Sequence, residues 1–348
     1  MQTLKKVLML IVLAIIVTHY FEGVQTIALV QVKNLFLTGS VSKFNEESFE
    51  TSYGFSDQFK INPVHISQSV EELSDSALNC YVAKDFSSLK KLASKKNVDR
   101  IVRAADFLIS IGVYSNLEDI EYIAFPYNFD YPSYANVLTA PWYSGMAQGL
   151  AIKTFLSAYV LTGDIKYFKD AQLSANLLKV PVASGGVAIY LGDSGVWFEE
   201  YAKNSNPCSY ALNGHIFAVC GLERLVCFDK NYNDLLKKSI AATATMLPKF
   251  NALFYSRYDL VKYMANPSYH QIHIDQLEHL KNVYTNSEFK KFYYIFLLQK
   301  YIPLGVFYRL LFYPHNSLLI ATVLNIIIVM ILFRFVSSFR ERKLTVKG

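Results

Sequence analysis

From Leu318 to Phe333 the chain is apolar except for Thr322 and Asn325, and Phe335-Val336 extend the run past Arg334. Arg340, Arg342, Lys343 and Lys347 follow. That length and those flanks fit a transmembrane helix over 316–336 with a basic cytoplasmic tail over 337–348. The other end mirrors it. Lys5-Lys6 precede an unbroken apolar run from Val7 to Val17, then Thr18-His19-Tyr20-Phe21-Glu22. The positive flank resembles a signal sequence, but no small-x-small cleavage site follows, so 1–22 reads as an uncleaved signal-anchor. Both ends place positive charge on one side. The region between them is then expected outside the cytoplasm, at a cell surface or in a Golgi lumen if the cell is eukaryotic. Asn325 reads as a helix-contact residue.

The 348 residues leave, between these ends, enough chain for one large core or two smaller ones. The net charge of +6 is spread along the chain without a dense Lys/Arg cluster. This argues against a nucleic-acid partner and is compatible with an acidic polysaccharide. Lys90-Lys91 and Lys95-Lys96 read as a solvated face. Cys80, Cys208, Cys220 and Cys227 form no CxxC pair and no zinc spacing, so free buried thiols are expected.

The middle reads as mainly α. Residues 23–96 are mixed: 26–37 suits a strand or a continuation of the anchor, and 40–62 a loop or irregular hairpin. Short helices are expected over 71–81 and 85–94, and a stronger one over 97–111, where Ile101, Ala104, Ala105, Leu108 and Ile111 share a face. Residues 122–134 pack aromatics and prolines into an extended hairpin or lid. Residues 143–161 are apolar nearly all round, an inner buried helix, with 165–178 as its amphipathic partner. Residues 209–228 and 231–247 repeat that pairing, and 270–281 and 286–301 follow. Alternating inner and outer helices over 97–303 suggest an incomplete α/α toroid. A β-hairpin over 185–201 would sit at its mouth.

The returning arm of that hairpin is Gly195-Val196-Trp197-Phe198-Glu199-Glu200-Tyr201. Two carboxylates between large aromatics suit the wall of a polar pocket; the plain alternative is a solvated Glu-Glu turn over a core. His270 and His273 lie three apart on a helix, but no acidic third ligand is placed, so no metal is expected. Trp142 suits a stacking platform or a helix-start core ring, and Gln148, inside an apolar helix, a pocket hydrogen bond. His215 reads as a polar position beside Asn213.

Pro141-Trp142-Tyr143-Ser144-Gly145-Met146-Ala147-Gln148-Gly149 resembles the WYSxMAQG signature of the D-glucuronyl C5-epimerase C-terminal domain. Further matches follow in family order: Trp197-Phe198-Glu199-Glu200-Tyr201, Leu212-Asn213-Gly214, Tyr258-Asp259-Leu260, Tyr269-His270, and His273-Ile274-Asp275-Gln276-Leu277. The resemblance covers about 97–300. The β-rich N-terminal portions of the animal heparan sulfate epimerases have no visible counterpart, so the chain is similar to a reduced member. The resemblance implies inversion of D-glucuronyl to L-iduronyl residues in a polysaccharide such as a glycosaminoglycan, without a cofactor. It carries catalytic roles onto Tyr201, Tyr258, Tyr269 and Glu200. Trp142, Gln148, Asn213, Arg257 and His270 are read as substrate contacts from their residue types and their places beside these motifs. The animal pattern continues Tyr-Asp-Leu with Arg; here that position is Val261. The expected partners are a glucuronate-containing polysaccharide and a membrane, with a homodimer a compatible assembly.

Inverting C5 of a uronate removes a proton from one face and returns one to the other, which two opposed groups do most simply. Negative charge builds on the carboxyl oxygens and calls for donors aimed there. Tyr258 and Tyr201 are the expected opposing pair, with Tyr269 donating and Glu200 orienting or deprotonating, while Trp197, Phe198 and Glu199 are expected to shape and hold the hairpin. Two rivals share the pattern: a uronan lyase, which removes the same proton and expels the C4 substituent, and a membrane-tethered polysaccharide-binding module without turnover.

Overall fold

The computed structural model describes residues 2–38, 44–53, 56–131 and 137–345. The chain divides into two units. A terminal unit comprises Met1–Val41, Asn251–Tyr258 and Tyr263–Gly348; a central unit comprises Ser42–Phe250 and Asp259–Lys262. The terminal unit opens with α1 (Gln2–Thr38), one unbroken helix. Residues 26–37 therefore continue the N-terminal helix rather than form a strand. Within it, Leu4–Leu29 is long and apolar enough to cross a membrane.

The central unit begins with β1 (Phe44–Asn45), β2 (Glu50–Tyr53) and β3 (Ser56–Ile61), an antiparallel sheet in that order with Thr51 opposite both Phe44 and Lys60. The stretch 40–62 is thus a small sheet over its described residues. Next comes α2 (Pro63–Gln68), a short helix within the stretch expected to be mixed. Its start is well marked: Val64 N donates to the Asn62 side chain and proline fills the first helical position. Then come α3 (Glu71–Val82), α4 (Phe86–Leu92), capped by Asp85, and α5 (Lys95–Ile111), capped by Ser94. The buried face of α5 is Ile101, Ala104, Ala105 and Leu108, the stripe expected from spacing. A hairpin follows, β4 (Val113–Leu117) with β5 (Ile120–Ala124). Beyond it, isolated bridges join Tyr127 to Trp142 and Tyr131 to Leu138. The extended hairpin expected over 122–134 is therefore the outgoing half of a ladder; Pro132 and Tyr134 lie outside the described residues.

At the centre of this unit is α6 (Gly145–Thr162). Every residue from Gly145 to Ala158 is buried, because α2, α3, α5, α7 (Ile165–Leu177) and α8 (Leu212–Val226) pack around it. Lys153, the one charge on its buried stretch, reaches Glu71 and Asp75 on α3 at 3.0 and 2.9 Å. Between α7 and α8 lies the hairpin β6 (Ala188–Tyr190) with β7 (Val196–Phe198). Last in the unit is α9 (Asn233–Met246), packed on α8 and on β7. Cys80, Cys208, Cys220 and Cys227 are free thiols, but none is fully buried as expected: the first three are part-buried and Cys227 is exposed.

The crossing of α6 and α8 is made backbone to backbone. A Cβ on Gly149 would lie 2.4 Å from Ala218 Cα, and one on Gly221 would lie 2.1 Å from the Gly149 carbonyl oxygen. No rotamer relieves a clash with main chain, so both glycines are required by proximity. Gly221→Ala should force the helices apart and cost about 1–3 kcal/mol. That lowers the thermal midpoint by roughly 2–12 °C. An unchanged midpoint would mean that the crossing is loose.

The terminal unit closes with α10 (Pro267–Val283), α11 (Ser287–Tyr301), α12 (Leu304–Phe312) and α13 (Asn316–Thr345). The turn from α11 into α12 bends by 86°. Within α13, Asn316–Ser338 is the second segment long and apolar enough to cross a membrane. Asn325 there exchanges two hydrogen bonds with Gln25 of α1, at 2.7 and 3.0 Å, and donates to Thr18 Oγ1 at 3.0 Å. It is the helix-contact residue its apolar setting implied. One turn from Thr18, the Glu22 carboxylate is paired with Arg309 of α12, both side chains almost fully buried.

Candidate active site

The hairpin β6–β7 delivers the central unit's predicted residues. All three residues of β7 are buried. Trp197 stacks between His215, at 3.9 Å, and Phe250, at 5.7 Å. His215 is more than a polar neighbour of Asn213. Its Nδ1 accepts from Phe198 N at 2.9 Å, which leaves Nε2 to donate to Thr243 Oγ1 at 2.9 Å. Burial pulls its pKa down to about 3, so the ring is neutral.

The two adjacent glutamates then part company. Glu199 turns inward and has no exposed surface. Its carboxylate accepts from Tyr201 N at 3.0 Å, Ser209 N at 3.0 Å, Tyr210 N at 2.9 Å and the Ser209 hydroxyl. Burial pushes this carboxyl up, and the four donors pull the other way. Gly145 N donates to the Glu199 carbonyl at 2.7 Å, and Tyr143 bridges Ala202 in both directions. Glu200 and Tyr201 are therefore held from both sides. The Glu200 side chain lies against the first turn of α8: a Cβ on Gly214 would meet Glu200 Oε2 at 2.2 Å. This gives Leu212-Asn213-Gly214 a spatial reason, since only glycine leaves room for the carboxylate. Asn213 is buried in the same turn.

Tyr201 is half-buried and stacks on Tyr131, ring centroids 5.8 Å apart, with Trp142 5.9 Å away. Trp142 itself is buried, stacked on Tyr127 at 3.8 Å, with its Nε1 donating to the Phe129 carbonyl at 2.9 Å. Of the two readings of this tryptophan, the core ring describes it; it backs Tyr131 and Tyr201 and has no open face for a sugar. Gln148 is buried on α6, and its Oε1 has no hydrogen-bond partner among the described residues. A buried polar atom left so is unusual.

The terminal unit carries the rest of the predicted set. Bridges Asn251–Ser256 and Arg257–Met264 fold 251–265 into an irregular ribbon, and Tyr258 N donates to the Tyr263 carbonyl at 2.9 Å. The ribbon ends at Asn266, whose side chain caps α10 by accepting from Tyr269 N at 2.9 Å. Tyr258 and Tyr269 come together, rings 4.6 Å apart and inclined by 59°. Tyr258 is 8% exposed and Tyr269 36%. Arg257 is half-buried with its guanidinium 5.8 Å over the Tyr313 ring.

His270 was expected to contact substrate. Here it is 1% exposed, stacked on Tyr255 at 4.1 Å, and both ring nitrogens are engaged, with Ser256 Oγ at 2.7 Å and the Phe296 carbonyl at 3.0 Å. No nitrogen is left for a ligand. In the central unit, Asp259 caps its own turn by accepting from Val261 N at 3.0 Å and Lys262 N at 2.6 Å, and the Val261 side chain is exposed. Among the described residues, no cluster of three metal-ligating side chains occurs.

A profile of the D-glucuronyl C5-epimerase C-terminus matches residues 118–297. The chain belongs to this family. The match takes in every motif quoted from the sequence. An uncharacterized protein of Methanocaldococcus jannaschii is 33% identical over 181 residues, 51% of this chain and 58% of that protein. A protein of Caenorhabditis elegans named D-glucuronyl C5-epimerase is 27% identical over 169 residues, 42% of this chain and 27% of its own length. The chain thus aligns with less than two thirds of the length of either relative. Within the family segment, Glu199 is the holding residue that its motif position suggested, although its partners Ser209 and Tyr210 were not foreseen. Ser256 was missed as an organising group, because it had no local signal at all.

Proposed function

We propose that this chain inverts C5 of D-glucuronyl residues within a polysaccharide, giving L-iduronyl residues. The observation that carries the reading is the family match over 118–297. Tyr258 and Tyr201 are the proposed proton carriers, one to each face of the sugar, and the pairing rests on motif order in the chain. Glu200, fitted against Gly214, orients or deprotonates Tyr201. Tyr269, beside Tyr258, donates to the developing negative charge on the uronate carboxyl. Arg257, next to Tyr258 in sequence, is the proposed cation for the uronate carboxylate. Gln148 and Asn213 supply hydrogen bonds to sugar hydroxyls.

The alternating pairs α6–α7 and α8–α9 are proposed as parts of an incomplete α/α toroid. The two apolar terminal helices are proposed as membrane anchors that hold the catalytic region outside the cytoplasm.

The test is to incubate the full chain, in detergent or nanodiscs, with a panel of glucuronate polymers in heavy water and follow C5 by NMR. Deuterium at C5 with growth of iduronyl signals, and no rise in ultraviolet absorbance, is the expected result. A rising absorbance would assign an unsaturated uronate and a lyase; binding without isotope incorporation would assign a binding module. Tyr258→Phe should slow the exchange by about 10²–10⁴-fold, the range a lost general acid or base spans.

A further inference from the structure

Ser256 lies at the junction of the ribbon that carries Tyr258 and the helix that carries Tyr269, and it is fully buried. Its hydroxyl meets two histidines of α10, His270 Nδ1 at 2.7 Å and His273 Nδ1 at 3.0 Å. The proton positions follow from the partners. The Phe296 carbonyl can only accept, so His270 Nε2, 3.0 Å away, carries a proton. A neutral His270 then offers a bare Nδ1, and the Ser256 hydroxyl donates to it. With its one proton spent, the Ser256 oxygen accepts from His273 Nδ1–H. His273 Nε2 is left unprotonated; it is buried and has no hydrogen-bond partner among the described residues. The two histidines therefore hold opposite tautomers, and the chain of hydrogen bonds runs in one direction from His273 through Ser256 and His270 to α11.

We infer that Ser256 is a positioning residue for the Tyr258–Tyr269 pair, acting through His270 and His273. The ribbon is short: Ser256 precedes Tyr258 by two residues, and the Ser256 carbonyl accepts from Ala265 N at 3.0 Å. Tyr269 is the residue before His270. The hydroxyl is thus a clamp between the backbone segments that bear the two tyrosines, and it fixes the 4.6 Å separation of their rings. Burial supports the neutral state the clamp needs, lowering His270 to about 4 and His273 to about 3. This rests on the proposed epimerase reading for what the tyrosines do, but the clamp itself is readable without turnover.

The first measurement needs no substitution. In full-length protein labelled with ¹⁵N-histidine, His270 should show a protonated Nε2 and His273 a protonated Nδ1. The same tautomer on both rings would overturn the clamp. The second is Ser256→Ala, which removes the hydroxyl and leaves a protein of unchanged side-chain length elsewhere. The contact between the Tyr258 and Tyr269 rings, read by NMR with labelled tyrosine, should weaken, and C5 exchange should fall about 10–100-fold with KM within about twofold. Ser256→Cys, which keeps a donor and an acceptor on the same short side chain, should recover part of the rate. Unaltered ring contact in Ser256→Ala would overturn the inference whether or not any polymer is turned over. If native protein shows the tautomers and the ring contact but no exchange on any polymer, it is the epimerase reading that fails.

Discussion

Glu199→Ala should unfold the central unit or leave it barely folded at room temperature. The side chain is without exposed surface and accepts four hydrogen bonds, three of them from backbone N–H groups of Tyr201, Ser209 and Tyr210. Alanine takes the acceptor from all four donors, the two of Ser209 buried and those of Tyr201 and Tyr210 part-buried. Each abandoned donor costs about 1–3 kcal/mol, so the total is about 5 kcal/mol or more, comparable with the lower end of a domain's whole stability of roughly 5–15 kcal/mol. Glu199→Gln keeps the shape but presents an NH₂ to groups that are themselves donors, so it should recover only part of the loss. Thermal unfolding of the full chain in detergent, together with proteolytic nicking between 199 and 210, reads both. Glu200→Gln is the control. That side chain is also buried, but it lies against Gly214 rather than holding the 199–210 turn together, so its effect should fall on turnover far more than on the midpoint. A native midpoint for Glu199→Ala would mean that the turn is held by contacts other than this carboxylate.

The contrast between these two residues shows where the sequence was legible and where it was not. Helices with a strong local pattern stood out. α6 is apolar around its whole circumference because it is surrounded, and the stripe on α5 repeats with the helical period. The hairpin β6–β7 and the capped starts of α7 and α11 carry their signals within a few residues. By contrast, α2 has a marked start but only six residues, and α12 only nine, and packing against other segments holds both. The same limit applies at the site. Motif position separated Glu200 from Glu199, but the partners that make Glu199 structural, Ser209 and Tyr210, and the fit of Glu200 against Gly214 lie beyond any local pattern. Trp142 and His270 bear motif positions, yet their polar atoms are committed to Phe129, Ser256 and Phe296, partners that no spacing rule identifies.

Acid should destabilise this protein through histidines buried in the neutral state, and His215 gives the cleanest case. Its ring can be protonated only at Nδ1, which is occupied in accepting from Phe198 N. The unfolded chain takes up that proton near pH 6.5, whereas the folded one resists until about 3. Between those values the unfolded state binds more protons, so stability is full above pH 6.5 and is lost as pH falls. The loss is about 1.4 kcal/mol per pH unit, or roughly 2–3 kcal/mol by pH 4.5. His270 and His273 add a loss of the same sign in the terminal unit; they share Ser256 and titrate as a pair. Glu199 runs in the opposite sense, because burial raises its carboxyl and protonation relieves that penalty. The histidine contribution is isolated by His215→Gln, whose amide oxygen can accept from Phe198 N and whose NH₂ can donate to Thr243, with Glu199 left in place. Thermal midpoints measured from pH 7 to 4.5 should fall less steeply in His215→Gln than in the native protein, although the variant starts lower at pH 7. Parallel curves would mean that His215 protonates in the folded state as readily as in water, and that its bond to Phe198 is not the lock on β7 that its geometry implies.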